Sequence, residues 1–344
     1  MTTSREPAPD PVPDPAHGAA VPYVARSTAD LVAMAPLVLG FHPRDSVVLL
    51  TFGPGAGPGF HARVDLPTDH SGQQVVAATL LEPCVEHGVR RAAVLLHTDD
   101  AEAARSQADL LLALLLGAGI DVLDVVRVEE DRWFPVPEDG DPGTAYDLTT
   151  HPFTARHVLE GRAVRRDREE LVASLVGEDD EDLVAVTLAA TRTADDLLLP
   201  TRPARAVLRP EARWLQQRVR RALHDRTPLS ATDAGRVLVL VALEELRDVV
   251  LTGLDRTTVL QHVELWLGLV RRCPDHLLPG ACGLLALAAW QAGDGAMAWC
   301  AVDRVTEVAP DDPLAEAVAH LLLAAVPPDT WNPPRAGDLL VLRR

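Results

Sequence analysis

The sequence predicts an α/β N-terminal domain with a mixed sheet, followed by an all-α domain with partly tetratricopeptide-like helical hairpins. Three observations carry this expectation. Up to about residue 148, short runs rich in Val and Leu, such as "SVVLLTF", "RAAVLLHT" and "DVLDVVRV", alternate with helical stretches. That is the pattern of a sheet covered by helices. From about Thr150 the apolar residues recur at helical spacing almost to the end. Finally, "CPDH" (Cys273–His276) and "APDD" (Ala309–Asp312) lie 36 positions apart, each closing a helix; a tetratricopeptide unit is a helix pair of about 34 residues.

In chain order, residues 1–24 carry Pro7, Pro9, Pro11, Pro13 and Pro15 with almost nothing to bury, and read as an unstructured tail. "STADLVAMAPLVLG" then reads as a short helix. Ser27 or Thr28 suits its N-cap, Asp30 its first turn and Gly40 its C-terminal stop, and Pro43 prevents resumption. "SVVLLTF" (46–52) and "FHARVDL" (60–66) read as two strands around "GPGAGPG". A helix over about 72–87, a strand over 91–98, a helix over 101–116 and a strand over 121–128 complete the domain, placed at 28–148.

The remainder reads as a helical connector (150–200), a helical, repeat-like domain (210–331) and a tail (332–344). "DREEL" (167–171) has the spacing of a capping box. "LPTRPARAVLRP" (199–210) reads as a linker whose Pro210 opens the next helix. Helices are then expected over 211–225, 231–252, 256–272, 277–291, 295–308 and 312–325. In the repeat-like part Leu285, Ala286, Ala298 and Val302 take the small and apolar positions of a tetratricopeptide unit, around the turn "AGDG".

Length and composition narrow the chemistry. A chain of 344 residues has room for two cores, since single cores stop growing near about 250–300 residues. A net charge of −18 repels phosphate backbones and anionic lipid, so neither nucleic acid nor membrane is an expected partner. The apolar run Leu110–Leu116 is too short to span a bilayer. No secretory signal pattern opens the chain, and the four cysteines have no CxxC spacing, so a reduced, cytoplasmic setting is the simplest expectation. No metal motif and no cofactor motif is found. Every basic side chain is arginine, and lysine is absent. This excludes a Schiff base, covalently held pyridoxal phosphate and a P-loop or kinase lysine.

The stretch "LGFHPRDS" (39–46) puts His42, Arg44, Asp45 and Ser46 between a helix and a strand. Four neighbours on one turn rarely make a catalytic line, and the plain reading is a glycine cap, a proline stop and a polar turn. In that reading Asp45 or Ser46 bonds nearby backbone amides. The functional reading needs a second contributor. In "HARVDL" one strand face carries His61, Arg63 and Asp65. If that face meets solvent, Arg63 and Asp65 are a surface pair of little worth; if it meets the loop, the two form a polar-ligand site. "HTDD" (97–100) ends a strand where α/β sheets bind ligands, but Asp99 with Glu102 also makes a plain helix N-cap. "GEDDED" (177–182) reads as an acidic helix start or a cation lure.

"LVLGFHPRDSVVLLTF", "ARVDLP", "GRAVRRDREELVASL", "AAWQAGDGAMAWCAVDRVTEVAPDDPLAE" and "VPPDTW", in that order from about Thr28 to Trp331, resemble the actinobacterial family of domain of unknown function 4192. Members of that family often carry a cysteine pair after the fourth strand. This chain has "FPVPEDGDPGTAYDLTTHP" there, so no metal or redox role of such a pair carries over. The resemblance makes "LGFHPRDS" a family hallmark and implies no activity.

Two functions remain open to the sequence. One is a binding or scaffolding protein, with protein partners on the helical domain and a polar ligand on the α/β domain at His42, Arg44, Asp45, Ser46, Arg63 and Asp65. The other is a lysine-independent, metal-independent hydrolase or transferase at the same loop. The lack of nucleophile and phosphate motifs weighs against the second.

Overall fold

The computed structural model describes residues 23–52, 60–138, 140–160, 164–197 and 205–342. The chain opens with α1 (Thr28–Leu39), where the Ser27 hydroxyl accepts from the Asp30 amide and the Asp30 carboxylate reaches back to the cap. Gly40 closes the helix at φ 75°, its amide on the Pro36 carbonyl. There follow β1 (Ser46–Phe52), β2 (His61–Asp65), α2 (His70–Glu86), β3 (Arg91–His97), α3 (Ala101–Gly117) and β4 (Asp121–Glu129), as the sequence pattern requires. Two short strands escaped it, β5 (Arg132–Pro135) and β6 (Thr144–Ala145). They are brief and lie among prolines and glycines, which read as loop.

The six strands form one sheet in the order β2-β1-β3-β4-β5-β6. Only β3 and β4 run parallel; every other pair is antiparallel. Strand alternation splits the apolar side chains into two layers. Val47, Leu49, Val94 and Leu96 pack with residues of α2 and α3. Val48, Leu50, Leu95 and Val126 belong to a second buried cluster that also holds Leu31, Val32 and Met34 of α1.

That cluster runs on without a break into the helical part. Its helices are α4 (Pro152–Leu159), α5 (Arg168–Ala173), α6 (Asp180–Asp196), α7 (Arg205–Asp225), α8 (Ala231–Val241), α9 (Glu244–Leu251), α10 (Val259–Val270), α11 (Leu278–Gln291), α12 (Gly295–Val308) and α13 (Pro313–Leu323). Among the described residues no strand lies beyond β6. Asp167 and Asp179 cap α5 and α6 with their carboxylates, so "DREEL" and "GEDDED" are helix starts.

Several boundaries differ from expectation. Pro210 does not open α7 but lies inside it, and the helix already runs from Arg205; the expected linker overlaps its first turn, while residues 198–204 fall outside the described residues. The single helix expected over 231–252 is two, broken at Ala242–Leu243 where no glycine or proline marks the break. The turn "AGDG" does join α11 and α12, with Gly293 at φ 80° and the Asp294 carboxylate capping α12. The tetratricopeptide-like character expected of this pair is not confirmed. The expected tail ends earlier than residue 24. The Tyr23 hydroxyl is hydrogen-bonded with His157 Nδ1 at 3.0 Å, its ring lies against Phe153, and Arg156 stacks on it; residues 1–22 lie outside the described residues. At the other end, Val341 is buried against the helices. No helix among the described residues is long and apolar enough to cross a membrane.

Gly40 has open space where a Cβ would stand, so its role is conformational rather than steric. Gly40→Val therefore lowers unfolding free energy by about 1 kcal/mol or more, since a β-branched residue tolerates a left-handed φ poorly. Urea unfolding of the two chains measures it.

Candidate functional site

The site begins with register. Ser46 pairs with Asp65 of β2 on one side and with His97 of β3 on the other. Directly opposed residues share a face, with Cα atoms about 4.5–5.5 Å apart. Val48 pairs with Arg63 and Leu50 with His61. Ser46, His61, Arg63, Asp65 and His97 thus stand on one face, the face toward α1, and Ser46 sits centrally at the end where β3 finishes.

The face is not solvated. Ser46 is fully buried and His97 is 8% exposed; the Arg63 side chain is 15% exposed, whereas that of Asp65 is 84% exposed. Arg63 Nη1 pairs with Asp65 at 2.5 Å, and Nη2 donates to the Arg44 carbonyl at 3.2 Å. This ties β2 to the "LGFHPRDS" loop. The third nitrogen, Arg63 Nε, is buried without a partner, as are Ser46 Oγ, His61 Nδ1 and His97 Nε2. Buried polar atoms are almost always hydrogen-bonded, so four orphans on one sheet face are a signal.

The loop supplies the rim. His42, Arg44 and Asp45 are exposed, while Phe41 is buried. Gly40 and His42 hold Arg165 on both sides: the Arg165 amide donates to Gly40 O at 2.8 Å, and His42 N donates to Arg165 O at 3.1 Å. Asp45 adopts φ 41°, a left-handed conformation that Asp tolerates better than most residues. The turn bonding departs from expectation. The Asp45 carbonyl, not its carboxylate, takes an amide, that of Leu66 at 2.8 Å. Its carboxylate accepts a long 3.5 Å bond from Thr98 Oγ1, and the Ser46 hydroxyl bonds nothing.

Both histidines on this face are neutral. Burial, with His42 and Arg63 adding to it, pushes His97 down to about 3; burial alone pushes His61 to about 4. Partial burial and the neighbouring Arg44 also hold His42 below the usual imidazole range. These imidazoles offer uncharged nitrogens to a ligand, and Arg63 is the buried cation. On the opposite face at the same end, Arg127 binds Glu138 at 2.5 Å, Glu129 at 2.7 Å and the Thr98 carbonyl at 3.1 Å. That network braces the turn after β3.

The six loop and strand residues expected from the sequence lie at one end of the sheet, and β1–β3 register adds His97, which the sequence offered only as part of "HTDD". The signal was present: His97 shares parity with buried Leu95 at the end of an apolar strand. The helix cap there is Asp100, which accepts from the Ala103 amide, not Asp99. Cys84, Cys273, Cys282 and Cys300 are buried and unpaired, and burial raises every thiol to about 11 or 12, which makes them poor nucleophiles. Among the described residues, no three His, Cys, Asp or Glu side chains are grouped so as to hold a metal ion.

A family model described as a domain of unknown function (DUF4192) matches residues 29–329. The chain belongs to that family. The match takes in the DUF4192 sheet, its loop at 39–46 and the helical part through α13, so rim and floor of the site lie within it. Neither the curated proteins nor the solved structures contain a match to this chain.

Acid should weaken this fold through the two neutral histidines. An unfolded chain protonates histidine near 6.5, whereas folded His97 and His61 do so only near 3 and 4. Their full contribution is therefore present above pH 6.5, and stability falls as pH drops below it, by up to about 1.4 kcal/mol per pH unit for each group. Urea unfolding between pH 7 and 5 should show that slope, and His97→Gln should make it shallower.

Proposed function

We propose that this chain is a binding protein. In this reading it holds a small polar ligand at the end of β3, on a floor of Ser46, Arg63 and His97 and under a rim of His42, Arg44, Asp45 and Asp65. Its helical part meets a protein partner. The observation that carries the ligand reading is the set of buried, unpartnered atoms on one sheet face: Ser46 Oγ, Arg63 Nε, His61 Nδ1 and His97 Nε2. A hydroxyl, a guanidinium N–H and a neutral imidazole match a carboxylate or other oxygen acceptor. Asp65 already offsets most of the Arg63 charge, which favours a singly charged ligand over a highly charged one.

Binding is favoured over catalysis because the Ser46 hydroxyl has no hydrogen bond to His97 or to any carboxylate, so no base activates it. For the partner surface, the support is on α6, where Val184 and Leu188 stand one turn apart and are each more than half exposed.

Titration of the full chain with acetate, followed by calorimetry and by the chemical shifts of the His97 ring, tests the ligand site. Wild type should bind, and Ser46→Ala or Arg63→Gln should weaken binding about tenfold, the loss of one charge-assisted bond. A wild-type chain indifferent to acetate, or variants that bind as well as wild type, would remove this reading.

A further inference from the structure

The helical part contains a second concave site, unrelated to the one above. A groove of about 930 Å³ opens between α7, the end of α9, the start of α10 and the segment Pro333–Ala336. That volume suits a ligand of nucleotide size. Val219, Val249 and Val250 lie buried in its wall, with Leu223 beside them. Three arginines line it as well: Arg220 from α7, Arg226 just beyond the end of α7, and Arg335 from the proline segment.

Two other arginines near α7 are tied to acids, Arg218 with Asp233 at 2.7 Å and Arg236 with Glu211 at 2.8 Å, while the exposed Arg213 and Arg221 do not line the groove. Arg220 and Arg335 have no carboxylate partner among the described residues. Arg226 Nη2 lies 3.0 Å from the Gln261 side-chain amide, again not on an acid. It also adopts φ 49°, a conformation that costs a non-glycine residue and that fits a side chain kept for a purpose. The one carboxylate in the wall, Asp255, is engaged with Thr257 and Thr258. His262 adds no charge. Its Nδ1 accepts from Trp266 Nε1 at 3.2 Å, its Nε2 therefore donates to Gly253 O at 3.1 Å, and burial keeps it neutral.

We infer that this groove binds a small organophosphate, its phosphate on Arg220, Arg226 and Arg335 and its apolar or aromatic body against Val219, Leu223 and Val250. Guanidinium forks match phosphate oxygens in pairs, and a multiply charged head is what three arginines without acid partners accept. The valine wall calls for more than a bare inorganic anion.

Calorimetric titration of the full chain with adenosine monophosphate and with inorganic pyrophosphate tests this. Adenosine monophosphate should bind, more tightly than pyrophosphate, and more weakly at high salt. Arg220→Gln should weaken it about tenfold or more. Arg226→Gly is the sharper variant: glycine relieves the left-handed φ, so the melting temperature should hold or rise while affinity falls about tenfold. Arg213→Gln, exposed on α7 away from the groove, should change nothing. A chain that binds neither probe at millimolar concentration overturns the inference, as does binding that survives Arg220→Gln and Arg226→Gly. Binding of a polyglutamate peptide in place of both probes would assign the groove to an acidic protein segment and overturn it too.

Discussion

The structure depends on α1 being covered from both sides. Its Leu31, Val32, Ala33, Met34, Ala35, Pro36, Leu37 and Leu39 are all buried, and such a run leaves no polar stripe. A helix that is apolar all round is stable only when enclosed. The sheet supplies one wall through Val48, Leu50 and Leu95, and the helical part continues the same cluster on the other. Sheet and helices are therefore not two cores set side by side, because α1 belongs to both.

Much of this was legible in the sequence where the determinants are local. Ser27 with Asp30, Gly40, Asp167 with Glu170, and the alternation in "HARVDL" each announce a cap, a stop or a face from neighbouring residues alone. What escaped is non-local or ambiguous. β5 and β6 exist only because β4 offers an edge, and their prolines and glycines argue for loop. Pro210 looks like a helix opener, yet sits inside α7. The break between α8 and α9 carries no local mark. For the site, sequence showed that His61, Arg63 and Asp65 share a face, but not that Arg63 is drawn in against the Arg44 carbonyl while Asp65 stays outside. The pairing of His97 with Ser46 depends on the β1–β3 register, which joins strands separated by a whole helix and no short-range pattern reveals.

Arginine does all the cationic work in this chain, and its placement separates structural from available charge. Arg127 is buried between Glu129 and Glu138 with Phe134 under its guanidinium; Arg247 is buried against Asp312 at 3.0 Å. A buried guanidinium without its acid would be costly, so these pairs are cross-links of the fold. Arg236 combines both habits, bound to Glu211 while stacking on Trp214. Arg63 differs from these, since its carboxylate partner stands at the surface and its Nε finds no acceptor.

The exchange of hydrogen bonds between Gly40, His42 and Arg165 has a consequence for biosynthesis. A ribosome releases α1 and β1 long before it makes Arg165, and longer still before the helices that enclose α1. During that interval an apolar helix and a bare sheet face await partners that do not yet exist. Contacts of such long sequence separation fold slowly and leave sticky intermediates. Truncations after the sheet should therefore aggregate rather than fold.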